Sequence, residues 1–176
     1  MKQKEIFKKT IIYLSLACLL FYPVGCNPVS GETPNTTTEN KTAEAGYAFK
    51  SGDVTIHMHA EVAPILEKLG EPKSYFEAAS CAFPGLEKQY TYPSFILYTY
   101  EDGETDRVAS VVLLDDSVGT AEGIYINDSL EDVLAVYGEG YSHTVHLYSY
   151  ESGKMKLSFI IEDNLVTSIE YVALSD

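Results

Sequence analysis

The sequence predicts an α+β fold built as two tandem helix-plus-antiparallel-strand repeats, and three observations lead there. Apolar residues recur in the same order in the two halves of the region that can fold. Each half holds one short run at helical spacing that stops at a glycine. After each helix come runs of alternating apolar and polar residues, parted by turn residues, which is the pattern of antiparallel strands.

The recurrence is specific enough to align. Ile56, Met58, Ile65, Leu66 and Gly70 return 68 residues later as Ile124, Ile126, Val133, Leu134 and Gly138. Tyr90-Thr91-Tyr92 answers Tyr148-Ser149-Tyr150, and residues 95–100 answer 157–162. Val108-Ala109-Ser110-Val111 answers Val166-Thr167-Ser168-Ile169. The later offsets are smaller, so the first copy carries extra residues, mostly within 72–88. A fixed order of parts marks duplication. The boundaries that follow are 47–118 for the first repeat and 119–176 for the second.

In the first copy, a short strand or turn precedes a helix over 61–69, closed by Gly70-Glu71-Pro72. Residues 95–100 and 107–114 form a hairpin around the acidic loop 101–106. In the second copy, Ser129-Leu130-Glu131-Asp132 approximates a capping box, with Asp132 where Glu is usual. Leu130, Val133, Leu134 and Tyr137 follow at helical spacing, and Gly138 ends the helix. Strands are expected at 143–150 and 156–161, parted by a turn at 151–154. Asp163-Asn164 then makes a tight hairpin into 166–173. Helices of about nine residues are marginal alone in water, so both must lie on a sheet.

Ahead of the folded region stands an export signal over residues 1–25. Lys2, Lys4, Lys8 and Lys9 form a basic start, and an apolar run fills 11–22. That run is 12 residues, against the roughly 20 needed to span a bilayer. Pro23-Val24-Gly25-Cys26 closes it, and polar sequence begins at once. A cysteine directly after the cut resembles the bacterial lipoprotein signal, in which the thiol is acylated and becomes the new N-terminus. The family usually carries Leu, Val or Ile where Pro23 stands. Cleavage before Cys18 instead would leave apolar residues 19–22 at the head of the mature chain, so Cys26 is the expected lipidation site. Residues 26–46, rich in Thr, Asn, Glu and Pro, cannot bury enough surface to offset ordering and are expected to be a disordered tether. The protein is thus expected on the extracytoplasmic face of the cell membrane, held by lipid.

The segment Gly123-Ile124-Tyr125-Ile126-Asn127-Asp128-Ser129-Leu130-Glu131-Asp132-Val133 resembles the opening pattern of a known superfamily. That superfamily holds the β-lactamase inhibitor protein and the small lipoproteins of the outer-membrane assembly machine. The resemblance runs from about residue 54 onward, with Asn127 and His59 standing where Gly is usual. It implies a curved sheet with short helices packed on one face, and a role in binding another protein. It names no partner and no contact residue.

Charge and motif content narrow the function. The chain has 12 basic and 26 acidic residues; without residues 1–25 the balance is 8 against 25, a net charge of −17. Such a polyanion is a poor ligand for nucleic acid or for anionic lipid, both of which select Lys and Arg. Cys81, alone once Cys18 leaves and Cys26 is acylated, can build neither an intramolecular disulfide nor a zinc cluster. Its neighbours Ala79, Ala82 and Phe83 suggest a small buried residue. No Gly-x-Ser-x-Gly elbow, phosphate loop or His-Glu-x-x-His occurs, so no catalysis is expected. No cofactor or metal is expected either. His57 and His59 would share a strand face, but His143 and His146 have no fixed relation to them. The loop at 102–106 spaces three carboxylates alternately yet lacks the glycine and glutamate of a calcium loop.

Tyrosine is the better lead. Twelve of the 14 lie beyond the signal, and there is no tryptophan. Tyr90 and Tyr92 share a strand face, as do Tyr98 and Tyr100, and Tyr148 and Tyr150. Some must pack against helices; the remainder would give an open sheet face of aromatic rings and carboxylates, suited to an unidentified envelope protein. β-Propensity alone would also place Tyr on solvent-facing strands. The expectation is a non-catalytic protein-binding module, with a small-ligand or metal-binding envelope lipoprotein as the alternative.

Overall fold

Ten strands and two helices follow one another in the computed structural model, which describes residues 46–81 and 85–175. Strands β1 (Ala48–Ser51) and β2 (Val54–His57) form a hairpin of their own, followed by α1 (Ala63–Leu69). Then come β3 (Ser74–Ala79), β4 (Leu86–Thr91), β5 (Phe95–Asp102) and β6 (Thr105–Leu113). After α2 (Leu130–Tyr137) come β7 (Ser142–Thr144), β8 (Leu147–Ser152), β9 (Met155–Glu162) and β10 (Leu165–Ala173). These last eight strands make one antiparallel sheet in the order β3-β4-β5-β6-β10-β9-β8-β7. The chain's two runs of strands meet at its centre, where Ser110, Val111 and Val112 pair with Val172, Tyr171 and Glu170.

The expected α+β architecture of two helix-plus-strand repeats is therefore corrected. The protein is mostly β, with helices of only 7 and 8 residues beside an 8-stranded sheet and a 2-stranded one. The reason is local. Strand β3 and the first half of β4 occupy the segment counted as extra residues in the first copy, and all six residues of β3 are exposed. A strand solvated on both sides has no alternation to detect. The expected strand over 143–150 is two strands, β7 and β8, folded back at Val145 and His146.

Other expectations hold residue by residue. Ser129 and Asp132 form a reciprocal capping box at α2: the Ser129 side chain accepts from the Asp132 amide, and the Asp132 carboxylate accepts from the Ser129 amide at 3.1 Å. Gly138 ends that helix with φ 76°, and Gly70 ends α1 with φ 75°. Helix α1 has no side-chain cap, but Pro64 in its first turn needs no amide partner. Asp163 and Asn164, at φ 50° and 68°, supply the paired left-handed residues of a tight β9–β10 hairpin. His59 and Asn127 also stand in the left-handed region, at φ 63° and 78°. Their amides donate to the carbonyls of Val108 and Val166, stitching each turn to the sheet.

The core lies on one side of the large sheet. Leu97, Val111, Tyr171 and Leu157, fully buried, are aligned across four neighbouring strands. Phe49 and Ile56 from the hairpin, Ile65 from α1, Val133 from α2 and Ile124 pack on that row in one cluster. Among the described residues no helix is long and apolar enough to cross a membrane. The expected export signal, the expected lipidation residue Cys26 and all of the expected tether but Gly46 lie outside the described residues. Cys81, expected to be buried, is exposed just beyond β3.

Candidate functional site

Alternation along β5 decides what each sheet face carries. Phe95, Leu97 and Thr99 are buried toward the core, so Ile96, Tyr98 and Tyr100 point to the opposite face, where they are half-buried. Val112 and Ser110 on β6, Glu170 and Val172 on β10, and Lys156 and Ser158 on β9 extend that face by register. None of its apolar side chains joins the core cluster. It is the open face.

A row across its middle runs Thr91, Ile96, Val112, Glu170, Ser158, Ser149 and Ser142. Beside it runs a second row of Phe76, Gln89, Tyr98, Ser110, Val172, Lys156 and Glu151. Aliphatic and aromatic groups thus gather over β5, β6 and β10. A further apolar pair, Leu147 and Ile160, stands opposite on β8 and β9. Between these two patches lies a polar band. Ser149 and Ser158, nearly fully buried, share a hydrogen bond of 2.9 Å. Glu170 sits in the band with its carboxyl raised above the ordinary glutamate range by burial, against the opposing pull of the Lys156 ammonium. The Tyr98 phenol is raised too, by burial first and then by the carboxylates of Glu87 and Glu170. A carboxylate held half out of water beside aromatic and aliphatic groups suits a contact with a complementary, partly basic surface.

The six tyrosines singled out from sequence do not share this face. Tyr98 and Tyr100 lie on it. Tyr90 and Tyr148 lie on the core side, half-buried against the cluster. Tyr92 and Tyr150 are themselves core, at 5% and 2% exposure. Their phenols donate to the carbonyls of Gly70 and Gly138, the glycines that end the two helices, at 3.1 and 2.9 Å. Four of the six are therefore packing residues. What the sequence reading missed is Ile96, Val112, Val172, Leu147 and Ile160. Ile96, Val112, Ile160 and Val172 each sit between buried neighbours on an apolar strand, so alternation sends them outward; Leu147 is placed on that face by its pairing with Ile160.

Beyond the pairing of Ser110 with Val172, β6 and β10 part, and residues 59–62 pair with β6 instead. The His59 ring stands in the gap. One ring nitrogen meets the Tyr100 hydroxyl at 2.9 Å and the other donates to the Lys154 carbonyl at 2.9 Å. A cleft of about 430 Å3 opens there, lined by His59, Tyr100, Asp102, Arg107, Lys154 and Leu174. The Arg107 guanidinium donates to the His59 carbonyl at 3.1 Å and to the Asp102 carboxylate. Both imidazole nitrogens are committed to structure, so His59 works as a clamp across the seam. The acidic loop is committed too. Asp102 holds Arg107; Asp106 holds Lys88 at 2.7 and 2.9 Å; Glu101 accepts from the Leu86 amide at 3.1 Å. His57, in β2, has a buried Nδ1 with no partner among the described residues, while His143 lies in β7. Among the described residues no group of three or more His, Cys, Asp or Glu side chains gathers to hold a metal.

No protein-family model matches the chain, and no curated protein matches it. Among solved structures, it is similar to an extracellular protein containing an SCP domain from Bacillus anthracis, at 15% identity and a TM-score of 0.43. That match covers 81% of this chain and 49% of the other, so the chain spans about half of that protein's length. It is also similar to a DUF4309 family protein (YjgB) from Bacillus subtilis, at 14% identity and a TM-score of 0.45. There 75% of this chain and 90% of the other are covered. At that level of similarity neither structure assigns a role to this chain.

Proposed function

We propose that the protein is a non-catalytic docking module, held at the extracytoplasmic face of the cell membrane by lipid on Cys26. Its binding surface is the open sheet face. One observation carries this reading: the open face bears Ile96, Tyr98, Val112, Val172, Leu147 and Ile160, none of which joins the core. A domain gains nothing from leaving such groups partly in water, and apolar patches set among polar groups are a usual mark of a partner site. Glu87, Glu151 and Glu170 lend the face negative charge, so the fitting partner is an envelope protein with an apolar patch and a basic rim. Aromatic groups such as Tyr98 anchor contacts of this kind.

The test is affinity capture from solubilised envelope with the full chain, comparing a Tyr98→Ala, Ile160→Ala double variant with Val136→Ala on the exposed side of α2. A specific partner should bind at least about tenfold more weakly to the double variant and unchanged to Val136→Ala. Equal retention by both variants would move the site off this face. Cys26→Ala should shift the protein from the membrane fraction to the soluble one while its circular dichroism stays the same. The second reading, a small-ligand lipoprotein, has the His59 cleft in its favour. Ligand-dependent shifts of the His59 ring resonances, with no protein captured, would select it.

A further inference from the structure

Arg107 is the only arginine in the chain, and it lines the cleft where β6 and β10 part. Its guanidinium is oriented from two sides. Nε donates to the Asp102 carboxylate, and Nη1 donates to the His59 carbonyl at 3.1 Å. These bonds use two of its five N–H groups, and Nη2 has no partner among the described residues. A structural ion pair does not require such a fork: on β4, Lys88 serves Asp106 with a single ammonium.

The rest of the lining narrows what can meet Nη2. The His59 ring is spent at both nitrogens, on Tyr100 and on the Lys154 carbonyl, so it offers a ligand neither donor nor acceptor. Among the described lining residues Arg107 and Lys154 carry positive charge and Asp102 carries negative charge. The Glu61 carboxylate also acts on Arg107 through space. Leu174 adds an apolar wall, and at about 430 Å3 the cleft lies within the range of small-molecule sites.

The geometry points to a singly charged carboxylate on a small apolar body as the ligand of this cleft. The uncommitted end of the Arg107 guanidinium holds the carboxylate, and the body lies against Leu174. A planar carboxylate matches the planar guanidinium. Asp102 and Glu61 oppose a second negative charge, which disfavours a phosphate dianion. This rests on the small-ligand reading and gives it a ligand class. It is separate from docking at Ile96, Val112 and Ile160, which lie outside the cleft lining.

Because the chain has one arginine, its side-chain Nε–Hε resonance is a single signal that needs no assignment. The isotope-labelled full chain in detergent is titrated with benzoate and, in parallel, with methyl benzoate and benzylamine. Benzoate should move that signal and the His59 ring resonances along one saturable curve, and the other two probes should move neither. Arg107→Lys keeps the charge and loses the fork, so benzoate should bind it about tenfold or more weakly, read on His59. Lys50→Gln, on β1 and outside the lining, should bind benzoate as wild type does. No saturable response to benzoate, or equal affinity in a folded Arg107→Lys, would overturn the inference. Equal binding of methyl benzoate or benzylamine would overturn the carboxylate class while keeping the small-ligand reading. That comparison is made on wild type, so it decides the matter even if Arg107→Lys does not fold.

Discussion

Tyr150 and Tyr92 do the same work at two places on the core side of the sheet. Each ring fills the space between a strand and a helix end, and each phenol satisfies the carbonyl of a glycine whose own amide already closes the helix. Tyr150→Phe keeps the ring and strands the Gly138 carbonyl, so it should cost about 1–2 kcal/mol in urea unfolding. Burial pushes the Tyr150 phenol up to about 12, from an ordinary value of 10.0. Because the folded value is the higher one, this group's contribution is whole below pH 10 and is lost as pH rises through about 12. Wild type should therefore lose stability across that window faster than Tyr150→Phe, and the gap between them should shrink. Glu170 behaves alike at lower pH. Its raised carboxyl favours the fold in acid and loses that contribution as pH rises through its folded value. Glu170→Gln should raise the urea midpoint near neutrality and leave it unchanged in acid. No period-two pattern could have sorted these residues in advance. Alternation shows which tyrosines share a face, and only the packing of Leu97 and Val111 shows which face is buried.

At the scale of elements, legibility follows how local the determining interactions are. Helix α2 was readable because everything that starts and stops it lies within ten residues: the Ser129 and Asp132 box, the Val133 anchor and the left-handed Gly138. The β9–β10 hairpin was readable for the same reason, through Asp163 and Asn164. Strand β3 was not, since its only described strand partner is β4 and its side chains face water. The β7–β8 turn was hidden by Val145, a β-branched residue held at φ 52° and 76% exposed, where sequence habit expects Gly or Asn. The weight of the local signal at α2 can be measured. Ser129→Ala removes the acceptor for the Asp132 amide and should cost about 1 kcal/mol. The Asp132 carboxyl is held below its ordinary range by the Ser129 hydroxyl and amide, so the cap weakens as pH falls through that lowered value. In acid, then, the difference between wild type and Ser129→Ala should narrow.

The whole molecule is joined where sequence comparison would divide it. The aligned halves suggested two units meeting near residue 118, yet the central sheet pairing is β6 with β10, across that point. The core crosses it as well. Val111 faces Tyr171 in register, and Phe49, from the first hairpin, packs on both Phe95 and Tyr171, with ring centroids 4.9 and 5.9 Å apart. The His59 clamp adds a third tie, from the turn before α1 to the carbonyl of Lys154. Cutting the chain at 118 would expose Val111, Phe49 and Phe95 in one piece and Tyr171 and Leu157 in the other. Apolar burial is the main force holding so small a fold, so neither piece should keep its structure. Expressed separately, residues 46–118 and 119–176 should lack the near-ultraviolet signal of packed tyrosine, while the intact chain unfolds in one cooperative step by both circular dichroism and fluorescence. A first piece that folds alone would mean that β3, β4, β5 and β6 hold their core without the seam. The buried contact of Val111 with Tyr171 would then be a docking of two finished units rather than the centre of one.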